Sequence, residues 1–238
     1  MLGGNGFIRR EYVTCRKICV SVLAVLVLSI TFFAPRAFAN DADVFPGIFS
    51  PDAGRVNLYK TLDFEAFKAS GMEEERIALE ERVASIKPAA FFIEGVKKID
   101  KRITVLVIGV MYCLDGKAAY PFVEVMKAAN PFIDTRYLVY IDTPGAREFL
   151  ISRTGRTSTP SIFVARPGKE GGNWNGKVLN GAYVEAPSRV VALLGTAKNE
   201  EEENIIWSNL PSGVYDEDIQ RDLLDLILGY GKKLTRND

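Results

Sequence analysis

Cys113 stands where an apolar strand runs into a helix, and that placement sets the chemistry to be considered first. Ile103 to Val110 (Ile-Thr-Val-Leu-Val-Ile-Gly-Val) is a nearly unbroken, largely β-branched run, the pattern of a buried strand. Met111-Tyr112-Cys113-Leu114-Asp115-Gly116 follows, and Lys117 to Ala129 has helical periodicity. A cysteine at a helix N-terminus faces free amides and the positive end of the helix dipole. Both favour the thiolate, the nucleophilic form. The same placement suits an inert thiol, because free cysteine is among the most buried residue types. Asp115 opposes ionisation of a nearby thiol, so at most a moderate depression of the Cys113 pKa is expected.

Other chemistries are excluded by composition. The 238 residues contain no histidine and three cysteines. Without histidine, Cys–His and Ser–His–Asp catalysis lack their neutral-pH base, and no zinc site can be assembled from His and Cys. No Asp/Glu run has the spacing of a calcium loop. No cofactor and no metal are expected. Gly171 to Val178 has the glycine and lysine spacing of a P-loop, but Val178 stands where the magnesium-binding hydroxyl belongs and the segment joins two strands. It reads as a hairpin loop.

The first 39 residues read as an export signal. Arg9, Arg10, Arg16 and Lys17 precede the apolar run Ile18 to Ala34, and Ala37-Phe38-Ala39 supplies a signal-peptidase pattern before Asn40. The apolar run is long enough to stay as an anchor if it is not cut. Arg9-Arg10 resembles a twin-arginine signal, whereas the strongly apolar core favours the general secretory route, which is the expectation. Cys15 and Cys19 lie in this leader, so Cys113 alone survives cleavage. Cleavage takes five basic residues and one acidic one from totals of 30 and 30. That leaves 25 and 29, a net charge of −4, which argues against nucleic acid and against anionic lipid as partners. The expected location is periplasmic or extracellular.

The elements that must position Cys113 follow from pattern and punctuation. Residues 40–57, with Pro46, Gly47, Pro51 and Gly54, read as a linker. Residues 58–100 read as a helical extension, with helices from Leu62 to a stop at Gly71, from Glu73 to Ile86 and from Pro88 to Ile99. Residues 101–197 hold strands at Ile103–Val110, Arg136–Ile141, Pro160–Ala165 and about Lys177–Leu179. Their helices are at Lys117–Ala129, Pro144–Thr154 and Glu185–Leu194. Asp142 or Thr143 is the expected cap for the second of these, with Pro144 at its first position. Residues 198–238 read as an acidic connector, Glu200 to Glu203, and an amphipathic helix from Asp216 to Tyr230 that either docks on its own domain, the expectation, or binds a partner. The predicted fold is α/β: a mixed four-stranded sheet flanked by helices, with an N-terminal helical extension and a C-terminal helix.

Two prolines narrow this further. Pro121 lies inside the helix that Cys113 opens, and Pro160 follows Arg156-Thr157-Ser158-Thr159 directly before an apolar strand, a candidate for a cis peptide. Strand, cysteine, helix with its proline, and Thr-Pro opening an antiparallel hairpin together resemble the thioredoxin family over about Leu58 to Leu194. In that family an aromatic residue precedes Cys-x-x-Cys. The matching residues here are Tyr112, Cys113, Leu114, Asp115 and Gly116, so glycine stands where the resemblance places a second cysteine.

The resemblance implies a monothiol exchanger. Cys113 would be the nucleophile, Gly116 and its neighbours would stabilise the thiolate, and Thr159 and Pro160 would align a substrate chain, with Tyr112 and Asp115 beside it. The implied reactions are disulfide isomerisation or mixed-disulfide exchange, and the implied partners are protein thiols and disulfides or a small thiol. The loss of one motif cysteine equally suits a redox-inactive binding module of the cell envelope. Oligomeric state is not legible.

Overall fold

The computed structural model describes residues 47–168 and 175–234, with the backbone alone for 230–234. The expected leader, residues 40–46 of the linker, residues 169–174 of the P-loop-like segment and the last four residues lie outside the described residues. The unit Pro46–Asp238 is built on a mixed sheet. Its strands are β1 (Arg55–Val56), β2 (Ile103–Gly109), β3 (Ile133–Val139), β4 (Ser161–Pro167), β5 (Gly176–Val178) and β6 (Tyr183–Val184).

The order across the sheet is β1-β5-β4-β2-β3, with β6 also on β4. Strand β2 runs parallel to β3, pairing Ile103 with Ile133 and Gly109 with Val139, and antiparallel to β4, pairing Val107 with Ile162. All seven residues of β2 are buried, as its unbroken apolar pattern requires. The period of two then sorts side chains between two layers. Val105, Val107, Ile162, Val164 and Tyr137 join one core, while Leu106, Ile108, Leu138, Phe163 and Ala165 join the other.

The larger core carries most of the helices: α1 (Phe64–Lys68), α2 (Glu73–Ser85), α3 (Ala90–Val96), α4 (Leu114–Ala129), α6 (Ser188–Leu194) and α8 (Asp216–Leu234) all contribute to it. On the other face α5 (Ala146–Thr154) covers the smaller core with Ala146, Phe149 and Leu150. Glu124 of α4 accepts hydrogen bonds from the Thr135 and Tyr137 hydroxyls of β3, both at 2.7 Å, which fixes the helix over the sheet. The C-terminal helix docks through Ile219, Leu223 and Ile227, all essentially inaccessible. Gln220 accepts the Ala89 amide proton at 2.7 Å, and Asp216 pairs with the largely buried Arg82.

Several expectations are corrected. Among the described residues the sheet has six strands rather than the four expected, because the two-residue strands β1 and β6 pair at its edge. Residues 48–57, expected as the end of a linker, bury Ala53 and Val56 against the smaller core. Strand β3 begins at Ile133, three residues before the expected start. Helix α5 begins at Ala146 behind Gly145, whose φ of 81° replaces the expected Asp142 or Thr143 cap. Glu200 opens a helix, α7 (Glu200–Asn209), with Asn199 accepting the Glu202 amide proton at 2.9 Å. The four glutamates of its first turn suit the positive end of a helix.

Buried Asn130 ties three elements together. Its amide group donates to the carbonyls of Val96 (2.7 Å) and Ile99 (2.8 Å), and its oxygen accepts from the Phe132 amide at 2.8 Å. Asn130→Ala removes all three hydrogen bonds, two of them buried, and is expected to cost about 3 kcal/mol in urea denaturation. A loss under about 1 kcal/mol would show that water replaces these bonds.

Candidate functional site

Helix α4 opens at Cys113, its N-cap residue, with φ −72° and ψ 117°. The strand delivers it: the Cys113 amide bonds the Val110 carbonyl at 3.3 Å, and the Lys117 amide bonds the Cys113 carbonyl at 3.0 Å. Opposite lies the turn into β4, where the Thr159–Pro160 peptide is cis. The Cys113 thiol donates to the Thr159 carbonyl at 3.2 Å. Behind this turn the Pro160 carbonyl accepts from the Glu185 amide at 2.7 Å. Glu185 has a φ of 67°, a left-handed backbone that bends the chain away after β6.

The fold thus brings Cys113, Asp115, Gly116, Thr159 and Pro160 together. Tyr112 and Leu114 flank the thiol with 57% and 42% of their surface exposed, whereas Gly116 and Pro160 are buried. An exposed aromatic and an exposed leucine beside a half-buried thiol make an apolar rim to the site.

The electrostatics overturn one expectation. The Cys113 pKa is raised from an ordinary 9.0 to about 11, where a moderate depression was expected. Burial is the main cause and the charge of Asp115 the second. The Gly116 amide, the Thr159 side chain and the Asp115 amide pull the other way and do not prevail. The helix terminus is present, but loss of solvent outweighs it. Asp115 is itself pushed up to about 7, by burial and then by the neighbouring charge of Glu185. At neutral pH the site therefore holds a protonated thiol next to a carboxyl that is partly protonated.

Three residues of this neighbourhood escape a reading of the motif. Tyr120 lies one turn beyond Gly116, fully buried, with its hydroxyl donating to the Val110 carbonyl at 3.3 Å. Tyr183 is buried and its hydroxyl has no hydrogen-bond partner among the described residues. Asp115, Asp222 and Cys113 all raise its pKa, after burial. Glu185 acts on Asp115. The spacing of Gly116 and Tyr120, four residues on one helix, was the one sequence signal available for any of them. Among the described residues no group of three or more Cys, Asp or Glu side chains is placed to hold a metal ion.

Comparison with known proteins agrees with the geometry. Two solved structures share the fold. One is a protein of unknown function from Pseudomonas aeruginosa, 22% identical with a TM-score of 0.57, covering 74% of this chain and 96% of that one. The other is an HIV epitope-scaffold, 22% identical with a TM-score of 0.54, covering 72% of this chain and 95% of its own. No curated protein matches. The thioredoxin family model matches residues 61–201, from the first helices through the whole Cys113 site to the start of α7. With strand, N-cap cysteine, helix and cis-proline turn arranged as described, the chain belongs to the thioredoxin family.

Proposed function

We propose that this thioredoxin-family protein acts outside the cytoplasm as a monothiol that captures a partner in a mixed disulfide and holds it, rather than turning substrates over. The contact that carries the reading is the Cys113 thiol at the N-cap of α4, 3.2 Å from the Thr159 carbonyl and beside the exposed Tyr112 and Leu114. In the step proposed, the Cys113 thiol loses its proton and attacks a disulfide R–S–S–R′. The new bond joins Sγ to the first sulfur, and R′–S⁻ leaves and takes up a proton.

Magnitudes decide between capture and turnover. A pKa near 11 leaves roughly a hundredfold less thiolate at neutral pH than an ordinary thiol has. The greater nucleophilicity of a more basic thiolate returns about tenfold, so attack is about tenfold slow rather than absent. Release is disfavoured in the same way, because a basic thiolate is a poor leaving group and no second thiol lies in the motif. Slow formation and slower release describe a holding site. Partners would be protein thiols and disulfides or a small thiol, and the leader would place the encounter in the periplasm or beyond. Intact-mass determination of the exported protein reports whether the chain is cut after Ala39 or stays tethered.

A redox-silent binding role is the second reading, favoured by the protonated thiol being already engaged with Thr159. Incubation with glutathione disulfide followed by intact-mass analysis separates the two. The exchange reading expects one glutathione adduct per folded chain, lost in Cys113→Ser. An adduct that forms only on unfolding would leave the binding reading.

A further inference from the structure

The ring of Tyr120 occupies the volume that a side chain at position 116 needs. Gly109 ends β2, Gly116 lies in the first turn of α4, and Tyr120 follows one turn later, fully buried. A β-carbon on Gly116 would overlap the Tyr120 hydroxyl and Cζ and lie 2.7 Å from Cε2. A β-carbon on Gly109 would overlap the same hydroxyl and lie 3.0 Å from Cζ. The ring is hemmed in elsewhere too. Phe67 meets it edge-on with centroids 5.3 Å apart, Tyr137 does so at 6.3 Å, and the hydroxyl is bonded to Val110. In a close-packed interior a ring so enclosed has little room to yield.

We infer that Tyr120, wedged between Gly109 and Gly116, keeps the site monothiol by excluding any second thiol from the position three residues after Cys113. Tyr120 is a positioning residue. Its steric role stands by itself, and its functional meaning rests on the exchange proposed above. In a dithiol site the second thiolate attacks the sulfur of the first, an intrachain disulfide forms, and the partner leaves as R–S⁻. Here a phenol fills that place, and burial raises its pKa well above 10, so it stays protonated. It cannot form the S–S bond, and a partner captured at Cys113 must wait for an external thiol.

The test loads wild type, Gly116→Cys, Tyr120→Leu and the double variant with glutathione at Cys113, using glutathione disulfide, and follows loss of the adduct by mass. The double variant is expected to expel glutathione and close a disulfide between Cys113 and the introduced thiol at least tenfold faster than Gly116→Cys alone. Equal rates for these two overturn the inference. Thermal melts of a Gly116→Ala and Tyr120→Leu cycle judge the wedge without thiol chemistry. Gly116→Ala is expected to lower Tm sharply in wild type and hardly at all when Tyr120 is Leu, whereas additive shifts overturn it. If glutathione loads none of the four chains, the exchange reading falls while the melts still decide the wedge.

Discussion

Alkylated across a pH series in the folded protein, Cys113 is expected to react along a curve with its midpoint near 11, and at pH 7.5 at least tenfold more slowly than the thiol of the unfolded chain. The expectation follows from a sum of opposed effects at one sulfur. The helix terminus and the Gly116 amide favour the anion, but burial and the Asp115 charge oppose it and prevail. The sign also fixes a stability effect. Because the folded pKa lies above the unfolded one, the contribution of this thiol is complete below about pH 9 and is lost as pH rises through 11. Iodoacetamide kinetics with and without urea give both the midpoint and the reference rate. A folded-state midpoint at or below 8.5 would mean that the thiolate is stabilised after all, and rapid turnover would then replace slow capture as the expected behaviour.

The route from strand to cysteine to helix was legible because each part has a strong local signal. A β-branched run of seven buried residues, a helix with its proline, and Thr-Pro ahead of a second apolar run can all be placed without knowing the fold. Strands β1 and β6 were not legible, since two residues carry no period. The start of α7 was legible and misread: Asn199 followed by four glutamates satisfies the rules for a helix N-terminus, yet a charge run also suits solvent. The pKa of Cys113 lay beyond the sequence for a different reason. Its direction depends on how deeply the fold buries the thiol, and one neighbour in that burial, Thr159, is 46 residues away in the chain. The Gly109–Tyr120–Gly116 wedge has the same character. Gly116 and Tyr120 are one helical turn apart, but only the register of β2 against the first turns of α4 brings Gly109 onto the same ring.

Asp115→Asn is expected to stabilise the protein at pH 8 and to leave it unchanged at pH 4. Asp115 sits in the first turn of α4, where the helix dipole favours a carboxylate, yet its pKa is raised to about 7 by burial and by Glu185. A folded pKa above the unfolded value of about 3.9 means that stability from this group is complete below pH 4. It is then lost progressively as pH climbs through 7. A difference of about 3 in pKa corresponds to about 4 kcal/mol if the site were dry, and partial solvent access reduces this to about 2 kcal/mol. Urea denaturation of Asp115→Asn and of its parent, both carrying Cys113→Ser to silence the thiol, measures the gap at each pH. It should open between pH 4 and 7 and stay level above. A constant gap would show that burial leaves this carboxyl unshifted, and one that opens in the opposite direction would show that the helix stabilises the carboxylate. The same substitution with Cys113 intact should move the alkylation midpoint downward but leave it above that of an ordinary thiol, because the larger cause, burial, remains.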